Sequence, residues 1–198
     1  TMPLTLGSLF MMTLIEVINA DAFAYSSVPG YSDARTKKYT TSVIVGSKVV
    51  AAPYDAATIL VIDADSNSFT TLPGYNDSGP QKYAASAVVG RKVVAVPHGA
   101  TTILVIDMDS NSFTTVPGYS NAGVFQYLTS AVVGSTVVAA PFCAATILVI
   151  DVDSNSFTTV PGYSQSGNGK YITSAVVGSK VVATPYNAAT ILVIDGHR

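Results

Sequence analysis

A repeat of 44 residues, four short apolar runs in each repeat and turn residues between those runs predict an all-β fold, a β-propeller of four-stranded antiparallel blades. The repeat is clearest in the string ILVID, which starts at Ile59 and returns at Ile103, Ile147 and Ile191. The string Pro-Gly-Tyr recurs with the same period, at residues 29–31, 73–75, 117–119 and 161–163. The phase is constant, so every repeat is expected to fold alike.

The first two strands of a repeat are predicted at residues 83–97. Tyr83 to Val89 is rich in apolar and β-branched residues, and Gly90-Arg91 is a two-residue turn of the kind that joins twisted hairpins. Lys92 to Pro97 is the second strand. It ends at a proline, which cannot donate a ladder hydrogen bond, so residues 98–100 are expected to form a loop.

The third and fourth strands are predicted at residues 102–116. Thr102 to Ile106 is a continuous run rich in β-branched residues, which suits burial on both faces of a sheet. Asp107 to Asn111 predicts a turn, and Ser112 to Val116 is the fourth strand. Because four strands have too little core to be stable alone, the repeats must pack face to face. An open β-solenoid or a stacked sandwich is the alternative.

Four blades are expected, and the last lacks a fourth strand. Residues 23–28 are predicted to supply that strand and to close the ring with both ends of the chain. Residues 13–18 resemble a surplus third strand, so three alternatives stay open: displacement of the last third strand, a segment of a longer propeller, or two copies in a larger ring. The predicted blades are residues 39–73, 83–117, 127–161, and 171–195 with 23–28.

The N-terminal segment, residues 1–22, is predicted to be a degenerate repeat or a leader, and residues 23–198 the propeller. Val17, Ile18 and Asp21 lie one period before Val61, Ile62 and Asp65, which favours the degenerate repeat. The apolar stretch from residue 9 to residue 18 is too short to span a bilayer, so no transmembrane segment is predicted.

Composition excludes several classes of protein. The 198 residues are 48% apolar and 11% charged, with ten basic and twelve acidic side chains, which argues against disorder. The basic residues are scattered, so no nucleic-acid partner is expected. The only cysteine, Cys143, permits no internal disulfide and is interpreted as an apolar loop residue. The compartment is undetermined, with a secreted or organelle-lumen location preferred to the cytoplasm.

The repeat resembles the YVTN-type family of β-propeller repeats. The shared features are the ILVID string at residues 103–107, the following Ser110-Asn111-Ser112-Phe113, and the preceding runs at residues 86–89 and 92–95. Pro97-His98 stands where that family carries its Tyr-Val-Ala-Asn strand, and the kelch and WD signatures are absent. The resemblance implies blade architecture and no particular chemistry, because such propellers serve many functions.

Candidate binding residues are those that differ between copies, because positions kept in every copy serve the blade. Two loops vary, the one between the second and third strands and the one that leads to the next blade, and both are expected on the same face. Four residues one period apart would present aromatic or heteroaromatic rings, either to a ligand or as spacers between blades. The candidates are Tyr54, His98, Phe142 and Tyr186, with Asp55 and Asn187 beside them.

The opposite face carries a repeated Asp-X-Asp-Ser-Asn string. Alternating oxygen ligands of this kind suggest a calcium loop, but Ser68 stands where that loop needs glycine. An Asx turn is therefore the preferred interpretation. The weak calcium candidates are Asp63, Asp65, Asp107, Asp109, Asp151 and Asp153.

No catalytic motif, cofactor motif or metal-binding cluster is recognised, and a reaction would have to be assembled from Asp, Tyr, Lys and His98. The sequence therefore predicts a non-catalytic module, without cofactor, that binds a protein partner or belongs to a larger complex. The alternatives are a structural accessory subunit and a lectin-like binder of a carbohydrate or small ligand.

Overall fold

The computed structural model describes residues 24–120 and 123–196, which form four antiparallel sheets and no helix. No described segment is therefore a helix that could cross a membrane. The first three sheets have four strands and the fourth has three. The strands are β1 (Val43–Val45), β2 (Lys48–Ala51), β3 (Leu60–Asp63), β4 (Ser68–Thr71), β5 (Tyr83–Val89), β6 (Lys92–Pro97), β7 (Leu104–Asp107), β8 (Ser112–Thr115), β9 (Ala131–Val133), β10 (Thr136–Ala139), β11 (Leu148–Asp151), β12 (Ser156–Thr159), β13 (Tyr171–Val177), β14 (Lys180–Pro185) and β15 (Leu192–Asp195).

Each sheet is a meander in which strands pair in chain order, as predicted. The bounds predicted for β5 and β6 are confirmed, and β8 ends one residue early. The third strand starts at Leu104 instead of Thr102. Its pairing with β6 begins at Ala95, and the Thr102 hydroxyl is held by Tyr83 at 3.0 Å, so Thr102 stays in the loop.

Neighbouring sheets pack face to face and bury apolar residues between them. The first strands of successive sheets contact one another, which places β1, β5, β9 and β13 innermost, while the outermost strands are largely exposed. We call the face that a sheet turns to the next sheet its forward face, and the opposite face its rear face. Ile59, Ile103 and Ile147, on the forward faces of the first three sheets, are 0 to 2% exposed.

A tyrosine lies at or just before the start of the first strand in each repeat and is tied by its hydroxyl to the loop that precedes the third strand. Tyr83, Tyr127 and Tyr171 are buried. The hydroxyls of Tyr127 and Tyr171 donate to backbone carbonyls nineteen residues later, at 3.1 Å. Burial raises the pKa of Tyr83 to about 12. These tyrosines are therefore scaffold residues.

The predicted closure of the last blade is not observed. Residues 24–28 have no regular structure, residue 23 lies outside the described residues, and β15 pairs with β14 alone within the described chain. The first sheet does not cover the fourth, where Val193 is 54% exposed, so the two ends of the chain do not meet. The Tyr31 ring packs edge-on against Phe69 of the first sheet, with ring centroids 5.6 Å apart, as Tyr75 packs against Phe113 one repeat later. That contact holds the segment beside the first sheet. The surplus third strand expected at residues 13–18 also lies outside the described residues.

Candidate functional site

The two variable loops meet on one face of the sheets, as the sequence predicts. The Lys82 amide, at the end of the loop between sheets, donates to the Tyr54 carbonyl at 2.9 Å. The neighbouring Gln81 amide donates to the Asp55 side chain at 2.7 Å. The second-to-third-strand loop of one sheet is thus joined to the loop that enters the next sheet.

These contacts repeat along the whole arc and form a continuous series of backbone hydrogen bonds, which we call the belt. Each member after the first donates its amide to the carbonyl of the member before it, at 2.7 to 2.9 Å. Because backbone groups form the belt, the side chains of its members are free to differ between copies. In order, the members are Lys38, Tyr54, Lys82, His98, Gln126, Phe142, Lys170 and Tyr186.

One residue before each loop-end member of the belt, the backbone is left-handed. Gln81 and Phe125 have φ of 55° and 58°, and the fourth copy of this position is Gly169. A bulky residue rarely adopts this conformation, because its Cβ crowds the next carbonyl. The conformation is kept because these carbonyls accept amides of the facing loop, including Cys143 at 3.0 Å.

The belt brings three of the four candidate rings into a row. The His98 ring lies 5.7 Å from Tyr54 and 6.5 Å from Phe142, and Phe125 packs edge-on against it at 5.1 Å. His98 is buried, and its Nδ1 is 3.2 Å from the Tyr127 carbonyl. Burial lowers the pKa of His98, so its ring is neutral near pH 7.

At the end of the row an apolar cleft of about 350 Å³ lies open to solvent. Val124 is 62% exposed, Phe125 39% and Tyr186 61%. Tyr186 therefore belongs to the cleft and not to the packed row. The side chains that line the cleft include Val124, Phe125, Phe142, Cys143, Tyr186 and Asn187.

The structure also places two buried lysines at this face, which the sequence reasoning did not single out. Lys82 and Lys170 are 2% and 3% exposed. The Lys82 ammonium donates to the Gly79 carbonyl, and that of Lys170 to the Gly167 carbonyl at 2.7 Å. Burial lowers the pKa of both. The available signal was that lysine occupies this position in three of the four repeats, at Lys38, Lys82 and Lys170.

The remaining candidates hydrogen-bond to the facing loop or within their own turn. The Asn187 amide donates to the Asn168 carbonyl at 3.4 Å. On the opposite face, Asp63 Oδ1 accepts the amides of Asp65 and Ser66 at 3.1 and 3.0 Å, and Asp107 and Asp151 do the same. The Asx turns expected from the sequence are therefore present. In the described part of the chain, no three His, Cys, Asp or Glu side chains come together as metal ligands.

Comparison with known proteins identifies the fold. No family model and no curated protein sequence matches the chain, so the resemblance to the YVTN-type family stays a prediction. Solved structures do match. The chain is similar to the computationally designed Ika4 protein, with 18% identity and a TM-score of 0.59, over 85% of this chain and 95% of Ika4.

Two larger structures match as well. The designed Ika8 protein has 16% identity and a TM-score of 0.59, over 80% of this chain and 46% of Ika8. The WD40 repeats of RRP9 have 15% identity and a TM-score of 0.60, over 81% of this chain and 49% of RRP9. The chain thus has a β-propeller architecture and spans about half the length of these two proteins.

Proposed function

We propose that the chain is a non-catalytic protein-interaction module whose partner docks an apolar side chain in the cleft beside Phe125. The observation that carries the proposal is the exposure of Val124, Phe125 and Tyr186 around one concave surface. Exposed aromatic residues around a pocket are typical of the centre of a protein interface. The similarity to WD40 repeats is consistent with this role.

The rigidity of the cleft supports the proposal. Its walls belong to residues on or next to the belt, so the backbone of Phe142 and Tyr186 is already held by hydrogen bonds of 2.8 Å. A preformed site loses little conformational entropy on binding.

The charges near the cleft define the chemistry of the partner. The Lys170 ammonium is occupied by the Gly167 carbonyl, and desolvation lowers its pKa. The cleft therefore offers aromatic and apolar contacts and amide hydrogen bonds, with no free cation aimed at a ligand in the described residues. An aliphatic or aromatic side chain of a partner protein fits this surface better than an acidic one.

A displayed random peptide library tests the proposal. Peptides selected on the wild-type protein are expected to share a Leu, Phe or Trp anchor and to bind a Phe125→Gly, Tyr186→Ser variant at least about tenfold more weakly. The matched control is Ile172→Thr, because Ile172 is also 39% exposed and does not line the cleft. Equal binding to both variants would contradict the proposal.

A lectin-like binder and a structural accessory subunit are the alternatives. The exposed Tyr186 ring next to Asn187 has the mixture of aromatic face and amide that stacks on and hydrogen-bonds a sugar. A glycan array tests the lectin-like function. If the chain is a lectin, the wild type binds glycans on the array and the Tyr186→Ser variant does not. An accessory subunit would show neither peptide nor glycan binding by the cleft.

A further inference from the structure

The forward face of the fourth sheet is apolar and uncovered. Val177 is 69% exposed, Ile191 65% and Val193 54%. One period earlier, Ile147 occupies the position of Ile191 and is 2% exposed, because the fourth sheet covers it. The fourth sheet thus carries the residues of a sheet-to-sheet contact with no sheet against them in the described chain.

The rear face of the first sheet is its counterpart. Ile44 is 70% exposed and Ile62 is half-buried, while Leu60 and Ala51 on the same face are 8% and 4% exposed. One period later, Ile106 has the position of Ile62 and is 0% exposed within the core between the first two sheets. Rear faces cover forward faces at all three observed boundaries. The first and fourth sheets therefore carry complementary halves of the same interface.

A third unfilled contact involves an aromatic pair that recurs in the repeat. Tyr75 packs edge-on against Phe113, and Tyr119 against Phe157, each with ring centroids 5.2 Å apart. The next tyrosine of the series is Tyr163. A Cβ added to the neighbouring Gly162 would have no described residue within 4 Å apart from its chain neighbours. At Gly74 and Gly118 the phenylalanine ring fills this space at 3.9 Å.

Residues 24–28 carry the pattern that would fill this place. Tyr25 lies one period before Phe69, in the middle of a fourth-strand pattern, and it is 101% exposed. The outer edge of β15 has no strand partner among the described residues. Within one chain these two lie apart, because Tyr31 keeps the segment next to Phe69 of the first sheet, and the first sheet does not cover the fourth, where Val193 is 54% exposed.

We propose that a second copy of this chain closes the ring. In a two-fold dimer the forward face of each fourth sheet meets the rear face of the other copy's first sheet, so both end faces are buried at once. Residues 24–28 of the second copy add the missing strand to β15, and Tyr25 of that copy packs against Tyr163. The result is one ring of eight sheets.

Two further observations agree with this arrangement. The belt ends at Tyr186. In earlier repeats the equivalent carbonyl accepts the amide of Lys82, Gln126 or Lys170, and Lys38 is the first-repeat copy of these three residues. The Lys38 amide of the second copy would therefore bond the Tyr186 carbonyl and continue the belt across the junction. The chain also superposes on 46% of Ika8 and 49% of the RRP9 repeats, which is about half of each larger structure.

Sedimentation equilibrium measures the predicted assembly. The wild-type chain is expected at twice its mass of 20.5 kDa, and an Ile191→Lys, Val193→Lys variant at 20.5 kDa with an unchanged far-ultraviolet circular dichroism spectrum. Val124→Lys is the control, because Val124 is similarly exposed but lies on neither end face. A wild-type monomer at every concentration, a higher oligomer, or a dimer unaffected by the two lysines would overturn the proposal.

Cross-linking tests the junction itself. In a Cys143→Ser background, a Tyr25→Cys chain is mixed with a Tyr163→Cys chain and treated with a short bifunctional maleimide. The mixture is expected to give a covalent dimer, while each chain alone does not, because the two Tyr25 positions lie at opposite junctions. Absence of the dimer from the mixture, or an internally bridged monomer of the double variant, would refute closure by a second copy.

Discussion

The hydroxyl oxygens of Thr129 and Ser174 lie 2.7 Å apart, across the boundary between the third and fourth sheets. Thr41 and Ser86 form the same pair at the first boundary, at 2.8 Å. In both pairs the serine follows the threonine by 45 residues, a sequence separation of one period plus one residue. The innermost strands are therefore joined by a repeated side-chain hydrogen bond as well as by apolar packing.

The second boundary lacks this bond, which predicts a stabilising substitution. Ala85 stands at the threonine position, and Ser130 Oγ is buried without a hydrogen-bond partner in the described structure. Ala85→Thr is expected to raise the free energy of unfolding by about 1 kcal/mol relative to Ala85→Val, because the two side chains have similar volume and only threonine bonds Ser130. Denaturant titration of both variants measures the difference. Equal stability would show that Ser130 is already satisfied.

Phe125→Gly separates binding from folding. Glycine relieves the left-handed backbone of Phe125, which costs about 1 to 2 kcal/mol for other residues, but the edge-on contact with His98 is lost. These effects oppose each other, so stability is expected to change by less than about 1 kcal/mol. Gly169, in the same position of the fourth repeat, shows that the fold accepts glycine there. A much larger loss in denaturant titration would assign Phe125 to the scaffold.

The Asx turns predict that the protein loses stability in acid. The amides of Ser66, Ser110 and Ser154 lower the pKa of Asp63, Asp107 and Asp151 below the usual 3.8. The stabilisation is therefore complete when the pH is above the aspartate pKa of the unfolded chain, and it is lost as the pH falls through the lower pKa of the folded protein. Thermal unfolding from about pH 7 to pH 2 is expected to show this loss.

The matched control for the acid effect is the triple Asp→Asn variant at these three positions. The asparagine oxygen still accepts the amides at low pH, so the variant should lose less stability on acidification than the wild type. Calcium chloride at neutral pH should leave the wild-type melting temperature unchanged. A rise with calcium that the triple variant lacks would restore the calcium-loop interpretation.

The buried lysines predict an asymmetric response to substitution. Gln126 occupies the position of Lys82 in the next repeat and donates its side-chain amide to the Val124 carbonyl at 3.3 Å. Lys82→Gln is therefore expected to lower the free energy of unfolding by no more than about 1 kcal/mol. Lys82→Glu should cost about 3 kcal/mol or more, since it buries a carboxylate near Asp55 and Asp77. Similar effects of both substitutions in denaturant titration would contradict the assigned contact.

Local chemistry made much of the fold predictable. The bounds of β5 and β6 follow from an apolar run, the turn at Gly90 and the proline at residue 97, all of which act within a few residues. The third strand was predicted to start two residues too early because Thr102 is β-branched. Its hydroxyl is bound by Tyr83, nineteen residues away in the chain, and a local propensity cannot register that contact.

The candidate site was predictable only in part. Variation between copies pointed to Tyr54, His98, Phe142 and Tyr186, and the structure places the first three in a row and leaves Tyr186 exposed at a cleft. Phe125 was not singled out. Its ring contacts His98 because the backbone at Phe125 is left-handed, a conformation that phenylalanine rarely adopts and that the sequence does not predict.

The sequence by itself determined the 44-residue period, the meander of each sheet and the chemistry of the turns, because all of these depend on residues close together in the chain. Tertiary structure decided that Lys82 is buried, that the belt joins the sheets and that Ile191 is exposed while Ile147 is not. These two isoleucines occupy equivalent positions of the repeat and differ in exposure, because the next sheet in space covers Ile147 and does not cover Ile191. Whether the fourth sheet meets the first depends on the angle accumulated over every sheet-to-sheet contact, which no single repeat contains.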